Sequence, residues 1–453
     1  MPSSAHPLSH RTPLSRLESL VAAAKRAGAE KAEACLGQST SLSVTWRGGA
    51  LDLLERAETQ EVGLRVFVGQ RQTLVSTTDP RPEALDKLVE DALARVNLVP
   101  EDPFCGPATP DQLAQNIPVL DMEDPAEVTS EDLMAAAKRM AEATEAVPGV
   151  TQCESAGASC FRSLAALVTS QGFARTWTKT FHSLGASALA GEGTGMVRDD
   201  DSATCLFASD LPPPEEVGAS AGNRAVRLQG ARSVPTARVP VVFDSRVASG
   251  LLGHLAGAIS GAAVARGTSF LRNDLGQRIF APGITVVDDP FRPRGLRSRA
   301  FDGEGLPVQR RAMVEDGLLT GWHLDLTSAR QLNVPPTGHA ARSPGGLPSP
   351  SPSNFYLCPS ERSPEELIKD IKEGFFVTEV LGPGVNLVTG DYSRAARGFW
   401  IKDGAFAFPV HDMTVAGNLR DMFARLVPAN DLTFRYGVDA PTVVVDALTV
   451  AGA

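Results

Sequence analysis

The sequence predicts an α+β fold. We expect helices on an antiparallel sheet in the first half and mostly antiparallel strands, sheet- or barrel-like, in the second. Segments with helical spacing of apolar residues are separated by segments in which apolar and polar residues alternate. Short turns such as Gly69-Gln70-Arg71 and Lys402-Asp403-Gly404 join the alternating segments and favour hairpins. The sequence has no βαβ alternation and no phosphate-loop glycine motif.

Length and composition describe an ordinary globular chain with ample core: of 453 residues, 43% are hydrophobic and 21% charged. We expect a disordered tail over residues 1–13, an N-terminal α+β domain over 14–232 and a β-rich C-terminal domain over 233–453. The net charge of −10, without a basic stripe, argues against a nucleic-acid binder. Six scattered cysteines and a start without a signal-peptide hydrophobic region predict a cytoplasmic protein.

In the first half, apolar stripes predict helices at Leu14–Ala27, Arg81–Val96, Thr129–Val147 and Leu211–Leu228. Alternation predicts strands at Ala32–Leu36, Ser41–Trp46, Val62–Val68 and Gln72–Ser76. It also predicts an antiparallel meander over Val150–Ala190, with turns at Gly157, Gln171-Gly172 and Gly185. A solvated acidic turn is the favoured interpretation of Asp199-Asp200-Asp201, because sequence neighbours do not converge on one cation without a defined loop.

The second half opens with a glycine-rich segment that predicts one buried helix, capped by Asp244 and ending at Arg266-Gly267. Gly253, Gly257 and Gly261 recur every four residues. Each glycine costs about 1 kcal/mol in a helix interior, so this stripe predicts that another backbone packs very close to it. A membrane helix is the alternative, but the segment is rich in alanine and glycine and has no companion, which favours a buried helix.

Beyond this helix, short alternating segments and tight turns predict that the rest of the second half consists of short strands, with a few short helices. The predicted strands are Ile284–Asp288, Met313–Trp322 with a turn at Asp316-Gly317, Phe376–Val380 and Gly398–Ile401. The predicted short helices are Arg362–Lys372 and Ala416–Leu426. Pro335–Ser353 is rich in proline, serine and glycine, which predicts a loop that could gate a channel.

The residues alone predict no catalytic set and no metal site in this chain. Of the seven histidines, the four in the second half (His254, His323, His339 and His411) do not pair at helical ligand spacing, H-E-x-x-H is absent, and no G-x-S-x-G string follows a predicted strand as a nucleophile elbow. His339 is the histidine best placed for function, whereas a hydrogen-bonded core role is favoured for His254. The run Asp391-Tyr392-Ser393-Arg394 could grip a peptide backbone or terminus, or could be a structural turn.

Seven motifs of the second half occur in a recognisable order: Leu252–Gly261 (LGHLAGAISG), Thr268–Phe270 (TSF), Phe301–Gly305 (FDGEG), Asp316–Trp322 (DGLLTGW), Thr337–Ala340 (TGHA), Thr389–Ile401 (TGDYSRAARGFWI) and Ala416–Met422 (AGNLRDM). Together they resemble the TldD/PmbA family (peptidase U62, also called modulator of DNA gyrase), specifically its PmbA (TldE) branch. The first half agrees in layout and in Val62–Val66 (VGLRV). The resemblance implies a cytoplasmic metallopeptidase, a hydrolase that acts in proteolysis on unfolded or extended peptides.

The resemblance also implies that this chain lacks the family's zinc ligands. The TldD branch carries an H-E-x-x-x-H motif on the helix corresponding to Ser245–Arg266, and a cysteine ligand near the C-terminus. Those motif positions fall on Leu252, Gly253, Gly257 and Ala440, which offer no zinc donor. We therefore expect no cofactor in this chain. Zinc is expected in a TldD-like partner with which it forms a heterodimer, while a homodimer in isolation stays open.

We expect a subunit that shapes the substrate channel while the partner supplies zinc. The candidate channel residues are Gly338, His339, Asp391, Ser393, Arg394 and His254. Two alternatives stay open: a self-sufficient homodimeric hydrolase that uses His254, His339, His411 or Asp391, and a non-cleaving peptide-binding or adaptor protein. Extended peptides could bind by strand addition. Neither nucleic acid nor a membrane is an expected partner.

Overall fold

The computed structural model describes residues 11–452, with side chains from residue 13. It confirms the expected α+β class with mainly antiparallel sheets. Of the expected tail 1–13, residues 1–10 lie outside the described residues, and the first helix begins at Arg11. Within residues 11–452, no helix is both long enough and apolar enough to cross a membrane.

The first half forms one six-stranded antiparallel sheet with four helices. Its strand order is β3-β2-β1-β4-β5-β6. The elements are α1 (Arg11–Arg26), β1 (Lys31–Arg47), β2 (Ala50–Val68), β3 (Arg71–Thr77), α2 (Pro82–Val96), α3 (Ser130–Glu145), β4 (Val150–Thr169), β5 (Ala174–Ala190), β6 (Val197–Cys205) and α4 (Pro214–Arg227).

Four of these strands, β1, β2, β4 and β5, are longer than the sequence predicted. β1 joins the two strands expected before residue 47. The expected meander is one long hairpin of β4 and β5, and the turns predicted at Gly157 and Gly185 are wrong, because these two glycines pair with each other inside the strands. The acidic run Asp199–Asp201 lies in β6 and not in a turn.

One face of the N-terminal sheet carries the helices, and the other faces the second half of the chain. Ala34 of β1 packs with α1 and α2, whereas Val44 further along the same strand packs with α3 and α4. Cys35, on the opposite face, lies in a cluster with Phe301 and Leu306. Successive side chains of a strand point to opposite faces, so a single long strand serves both layers.

The second half contains a closed barrel and a second sheet. The elements are β7 (Ala237–Phe243), α5 (Ser245–Ala258), α6 (Gly261–Ala265), β8 (Val286–Asp289), β9 (Arg311–Glu315), β10 (Leu318–Leu319), α7 (Leu326–Leu332), β11 (Ala340–Ala341), β12 (Ser349–Pro350), β13 (Asn354–Leu357), α8 (Pro364–Lys369), β14 (Glu373–Leu381), β15 (Asp391–Lys402), β16 (Ala405–Asn418), α9 (Leu419–Arg425), β17 (Leu426–Pro428), β18 (Val438–Asp439) and β19 (Val443–Gly452). Strands β16-β15-β14-β7-β19 close into a barrel because β16 also pairs with β19. Strands β10-β9-β8-β13-β18 form the second sheet. The barrel-like expectation is therefore confirmed.

The glycine-rich segment is two helices and not one. α5 ends at Ala258, and α6 begins at Gly261. Close packing occurs at Gly261, where an added Cβ would lie 2.4 Å from Leu324 Cδ2, but at Gly253 an added Cβ would meet no atom within 4 Å. The predicted close approach along the whole stripe is therefore wrong. α5 is buried through its other face, by residues such as Leu251 and Leu255.

The loop 335–353 is docked on the free face of the N-terminal sheet. An added Cβ at Gly63 of β2 would lie 1.8 Å from the backbone oxygen of Pro344, and one at Gly37 of β1 would lie 3.2 Å from Pro344 Cγ. The sheet thus has glycines where the loop backbone approaches most closely. This contact joins the N-terminal sheet to the second half.

We predict that Gly63→Ala lowers the free energy of unfolding by about 1–3 kcal/mol, because the added methyl group overpacks against backbone that must move. The matched substitution Gly253→Ala should instead raise it, by up to about 1 kcal/mol, since the methyl group meets open space on a helix. Urea unfolding followed by circular dichroism measures both. Equal unfolding midpoints for the two variants would contradict the docked loop.

Candidate functional site

The positions that the resemblance assigns to the zinc motif lie on α5 and directly after β18, and their side chains carry no donor atoms. α5 begins after Asp244, whose side chain accepts a hydrogen bond from the Arg246 N–H, and it packs against β18 just before Ala440. Leu252 and Ala440 are 4% and 3% exposed and belong to one apolar cluster. Gly253 and Gly257 have no side chain to offer. The helix keeps its packing, but this position holds no metal ligand.

His254 lies on the less buried side of α5, beside Tyr392 and Arg394 of β15. The ring centroids of His254 and Tyr392 are 6.1 Å apart. Burial, with the nearby Arg394 guanidinium, lowers the pKa of His254. Burial also raises the pKa of Tyr392 to about 12. The group therefore presents a neutral imidazole, a neutral phenol and one fixed positive charge at pH 7. It can donate hydrogen bonds to a peptide carbonyl or carboxylate.

Strand alternation separates the four residues of the run 391–394. Tyr392 is buried and Arg394 half-buried, whereas Asp391 and Ser393 are exposed. The Asp391 carboxylate accepts hydrogen bonds from Thr389 Oγ1 (2.7 Å) and Asn418 Nδ2 (3.2 Å), which lower the pKa of Asp391. The structure thus brings His254 and Arg394 together, but not Asp391 and Ser393 with them.

Gly338 and His339 are buried in the docked loop. His339 is 3% exposed, with its Nδ1 2.8 Å from Thr337 Oγ1. An added Cβ at Gly338, whose φ is +73°, would lie 2.4 Å from the Pro307 carbonyl oxygen. In this conformation neither residue lines an open channel, and their substrate role stays a prediction.

His339 belongs to a buried cluster that the sequence analysis did not find. Its Nε2 lies 3.4 Å from Asp288 Oδ1, and His323 Nε2 lies 3.4 Å from Asp288 Oδ2. These distances are long for N–H···O hydrogen bonds. Ser353 donates its N–H and its hydroxyl to the same carboxylate. Burial would raise the pKa of Asp288, but the two imidazoles outweigh burial and hold it below its usual value.

Among residues 13–452, this cluster of Asp288, His323 and His339 is the one group whose donor atoms, all within 4.8 Å of one another, could hold a metal ion. A structural zinc site takes four donors, and a catalytic site with three leaves one position open to water, whereas Asp288, His323 and His339 are all at most 3% exposed. Arg299 lies near this cluster and disfavours an added positive charge there. Burial, followed by repulsion from His323 and Arg299, lowers the pKa of His339 to about 4. We therefore describe the group as a polar cluster that holds the loop on the second sheet.

A second buried network joins the two halves of the chain. Arg342 Nη1 lies 2.8 Å and Arg65 Nη1 3.3 Å from Oε2 of Glu33, which is fully buried. Burial would raise the pKa of Glu33, but the two arginines outweigh burial and hold it below its usual value. Arg65 Nη1 is also 3.9 Å from Glu304 Oε1. Burial, followed by repulsion from Asp302, raises the pKa of Glu304 to about 8.

The sequence held a weak signal for both networks. Glu33 and Arg65 interrupt strands whose neighbouring residues are apolar, and Asp288 follows the β-branched run of β8. A charge in such a position indicates a polar partner on the facing layer. Only the tertiary structure identifies that partner.

We predict that Arg342→Met lowers the free energy of unfolding by about 3–5 kcal/mol, because Glu33 then loses its nearest counter-charge while remaining buried. Arg56→Met is the matched control, since Arg56 pairs with Glu58 on the exposed surface and should matter by less than about 1 kcal/mol. Urea unfolding at pH 7 measures both. A similar decrease in the free energy of unfolding in the two variants would argue against the buried network as the contact that joins the two halves of the chain.

We also predict that His339 makes stability depend on pH between about 4 and 6.5. Its folded-state pKa of about 4 lies below that of an exposed histidine, so the unfolded chain binds more protons in this window. The stability contribution is complete above pH 6.5 and is lost as the pH falls towards 4. As the pH falls through this window, the free energy of unfolding, measured by urea unfolding at each pH, should therefore decrease more steeply for the wild type than for His339→Gln, by up to about 1.4 kcal/mol per pH unit. Parallel curves would refute this.

The chain matches the models of PmbA/TldA metallopeptidase domain 1 at residues 32–95, of the central domain at 123–229 and of the C-terminal domain at 236–452. Metalloprotease PmbA of Escherichia coli O157:H7 is 34% identical over 423 residues, which cover 93% of this chain and 92% of that protein.

Two solved structures show the same overall fold. A candidate modulator of DNA gyrase from Bacteroides thetaiotaomicron superposes with a TM-score of 0.88 at 26% identity, covering 97% of this chain and 98% of that one. TldE from Thermococcus kodakarensis gives a TM-score of 0.86 at 19% identity, covering 96% and 100%. At that identity the second similarity shows the fold alone.

Proposed function

Because the chain belongs to the PmbA/TldD metallopeptidase family, we propose that it is the subunit without zinc ligands in a two-chain cytoplasmic metallopeptidase. In this proposal a TldD-like partner supplies the zinc ion. This chain shapes the channel that holds unfolded or extended peptides. On its own it forms a homodimer or a monomer without peptidase activity.

The observation that carries the proposal is the packing of α5 against β18 with no donor at the motif positions. Leu252 and Ala440 are buried among apolar side chains, and Gly253 and Gly257 contribute only backbone. Metal-assisted hydrolysis needs donors that hold the ion and leave one position for water. A chain that keeps the helix but lacks the donors depends on another chain for this chemistry.

His254 and Arg394 are our candidates for peptide contacts in the channel. Both are half-buried, and the adjacent exposed surface at Gly253 leaves room for an extended backbone. Arg394 can donate a planar pair of hydrogen bonds to a carbonyl or carboxylate. Its Nε already donates to the Leu381 carbonyl at 3.3 Å, which fixes the direction of the guanidinium.

The alternative of a self-sufficient hydrolase has less support. Within residues 13–452, His254 makes no hydrogen bond or ion pair with a carboxylate, so a general base at this position lacks the group that would orient it. His339 is buried, and His411 pairs with the neighbouring Asp412 on the surface. The remaining alternative, a peptide-binding adaptor, differs from our proposal only in the absence of cleavage by the complex.

We predict that zinc and peptidase activity appear together only when this chain is co-purified with a TldD-like chain from the same genome. The measurements are zinc per protomer and cleavage of an unstructured peptide, for each chain alone and for the complex. We expect about one zinc ion per pair and cleavage by the complex alone. Chelator-sensitive cleavage by this chain alone would overturn the proposal, and a complex that binds peptide without cutting it would favour the adaptor.

In the same complex, Arg394→Ala should raise the KM for the peptide by about tenfold with a smaller change in kcat, since it removes a charge-assisted contact to bound substrate. The exposed Arg56→Ala is the control and should leave both constants unchanged. An unchanged KM in the Arg394→Ala complex would remove this residue from the channel.

A further inference from the structure

A cavity of about 290 Å³ lies between strand β5 and two segments of the second half, distant in sequence from α5. β5 contributes Trp177 and Lys179, the segment 296–303 contributes Arg297, Arg299 and Phe301, and the docked loop closes the remaining side. Trp177 and Phe301 meet edge to face with centroids 5.1 Å apart, which gives the cavity one aromatic wall. Lys179, Arg297 and Arg299 add positive charge to the same lining.

The three cations at this cavity have no carboxylate partner among residues 13–452. Lys179 Nζ is 3.4 Å from the Leu296 carbonyl oxygen, and Arg299 donates to the carbonyl oxygens of Ala340 and Ser351 at 3.3 and 2.9 Å. The Arg297 guanidinium makes no hydrogen bond or ion pair within the same residues. Burial, followed by repulsion from Arg299 and Arg297, lowers the pKa of Lys179 to about 8.

Of the other charged groups, the carboxylates of Asp302 and Asp288 offset the charge of Arg299 in part, whereas no carboxylate among residues 13–452 acts on Lys179. The Asp302 carboxylate also lies in the wall, but its Oδ1 accepts from the N–H groups of Glu304 and Leu306, and its Oδ2 from the N–H of Ala340. Arg342 turns its guanidinium to Glu33 on the other side. Partly buried like charges repel one another, and an anion in the cavity would relieve that repulsion.

We infer that this cavity binds a carboxylate of a peptide, with Lys179 and Arg297 as its principal donors and Trp177 beside the adjoining chain. The inference rests on the proposed function, which supplies a peptide as the ligand. The volume suits the end of a peptide or one acidic side chain, and both sources present the same group. Ammonium and guanidinium groups are the donors that carboxylates prefer in proteins.

The test uses the full chain and fluorescently labelled ten-residue unstructured peptides, with binding followed by anisotropy at pH 7. One peptide has a free C-terminal carboxylate, a second is its C-terminal amide, and a third is the amide with one internal glutamate. We expect the free acid to bind about tenfold more tightly than the plain amide, the effect of one charge-assisted hydrogen bond. If the amide with the internal glutamate binds the chain as tightly as the free acid does, the cavity accepts a side-chain carboxylate as well as a C-terminal one.

Lys179→Met should remove the tighter binding of the free acid relative to the plain amide, and Lys179→Arg should retain it. The pair of variants separates loss of charge from misfolding. Lys138→Met on the exposed face of α3 is the control and should change nothing. The advantage should also decline as the pH rises past about 8, because Lys179 then loses its proton. Equal affinity for acid and both amides, no detectable binding of any peptide, or an unchanged preference in Lys179→Met would each overturn the inference.

The two proposals fail in different ways. If the complex with the TldD-like chain cleaves free-acid and amide peptides equally while Lys179→Met has no effect, the proposed function stands and this cavity has no such role. If the chain prefers the free acid through Lys179 but no complex cleaves peptide, the inference stands and the peptidase proposal fails.

Discussion

The pairing of Glu33 with Arg342 determines how the two halves of this protein meet. Glu33 is fully buried on the face of the N-terminal sheet that carries no helix, and Arg342 reaches it from a loop 309 positions later in the chain. Removing two charges from water is costly unless their geometry is maintained. The loop is therefore held at one place on the sheet, where Gly63 and Gly37 leave room for its backbone.

The rest of the loop depends on this anchor. His339 lies three residues before Arg342, and together with His323 it surrounds Asp288 at the end of β8. One short segment thus contacts both the N-terminal sheet and the second sheet, beside the apolar cluster of Cys35, Phe301 and Leu306. α5 packs between the second sheet and the barrel.

The apolar side chains at the motif positions have a physical explanation. Burying a leucine contributes about 1.5–3 kcal/mol, whereas a buried histidine without a metal or another hydrogen-bond partner would lose free energy. Leu252 and Ala440, buried at these positions, therefore stabilise the fold through apolar contacts. Elsewhere the protein retains uncompensated charge: the chain as a whole carries −10, yet the cavity beside Lys179 is cationic. Local charge and not net charge therefore indicates where an anionic group would bind.

The sequence by itself determined the features that depend on neighbours along the chain. It predicted the α+β class and the helices α1 to α4. It also predicted the hairpin turn at Lys402-Asp403-Gly404. Side-chain spacing and turn chemistry fix these elements locally.

Only the tertiary structure decided the features that depend on distant partners. Gly157 and Gly185 looked like turns, but cross-strand pairing places them opposite each other within one hairpin. The sequence of the run 391–394 fits either a peptide-gripping site or a structural turn, but the run is the start of strand β15, whose alternation turns Arg394 towards His254 and leaves Asp391 exposed. Glu33 pairs with Arg342, 309 positions later, and Asp288 accepts from Ser353, 65 positions later. Ion pairs and buried polar contacts are selected by distance in space, and the pattern of residues along a chain carries little of that information.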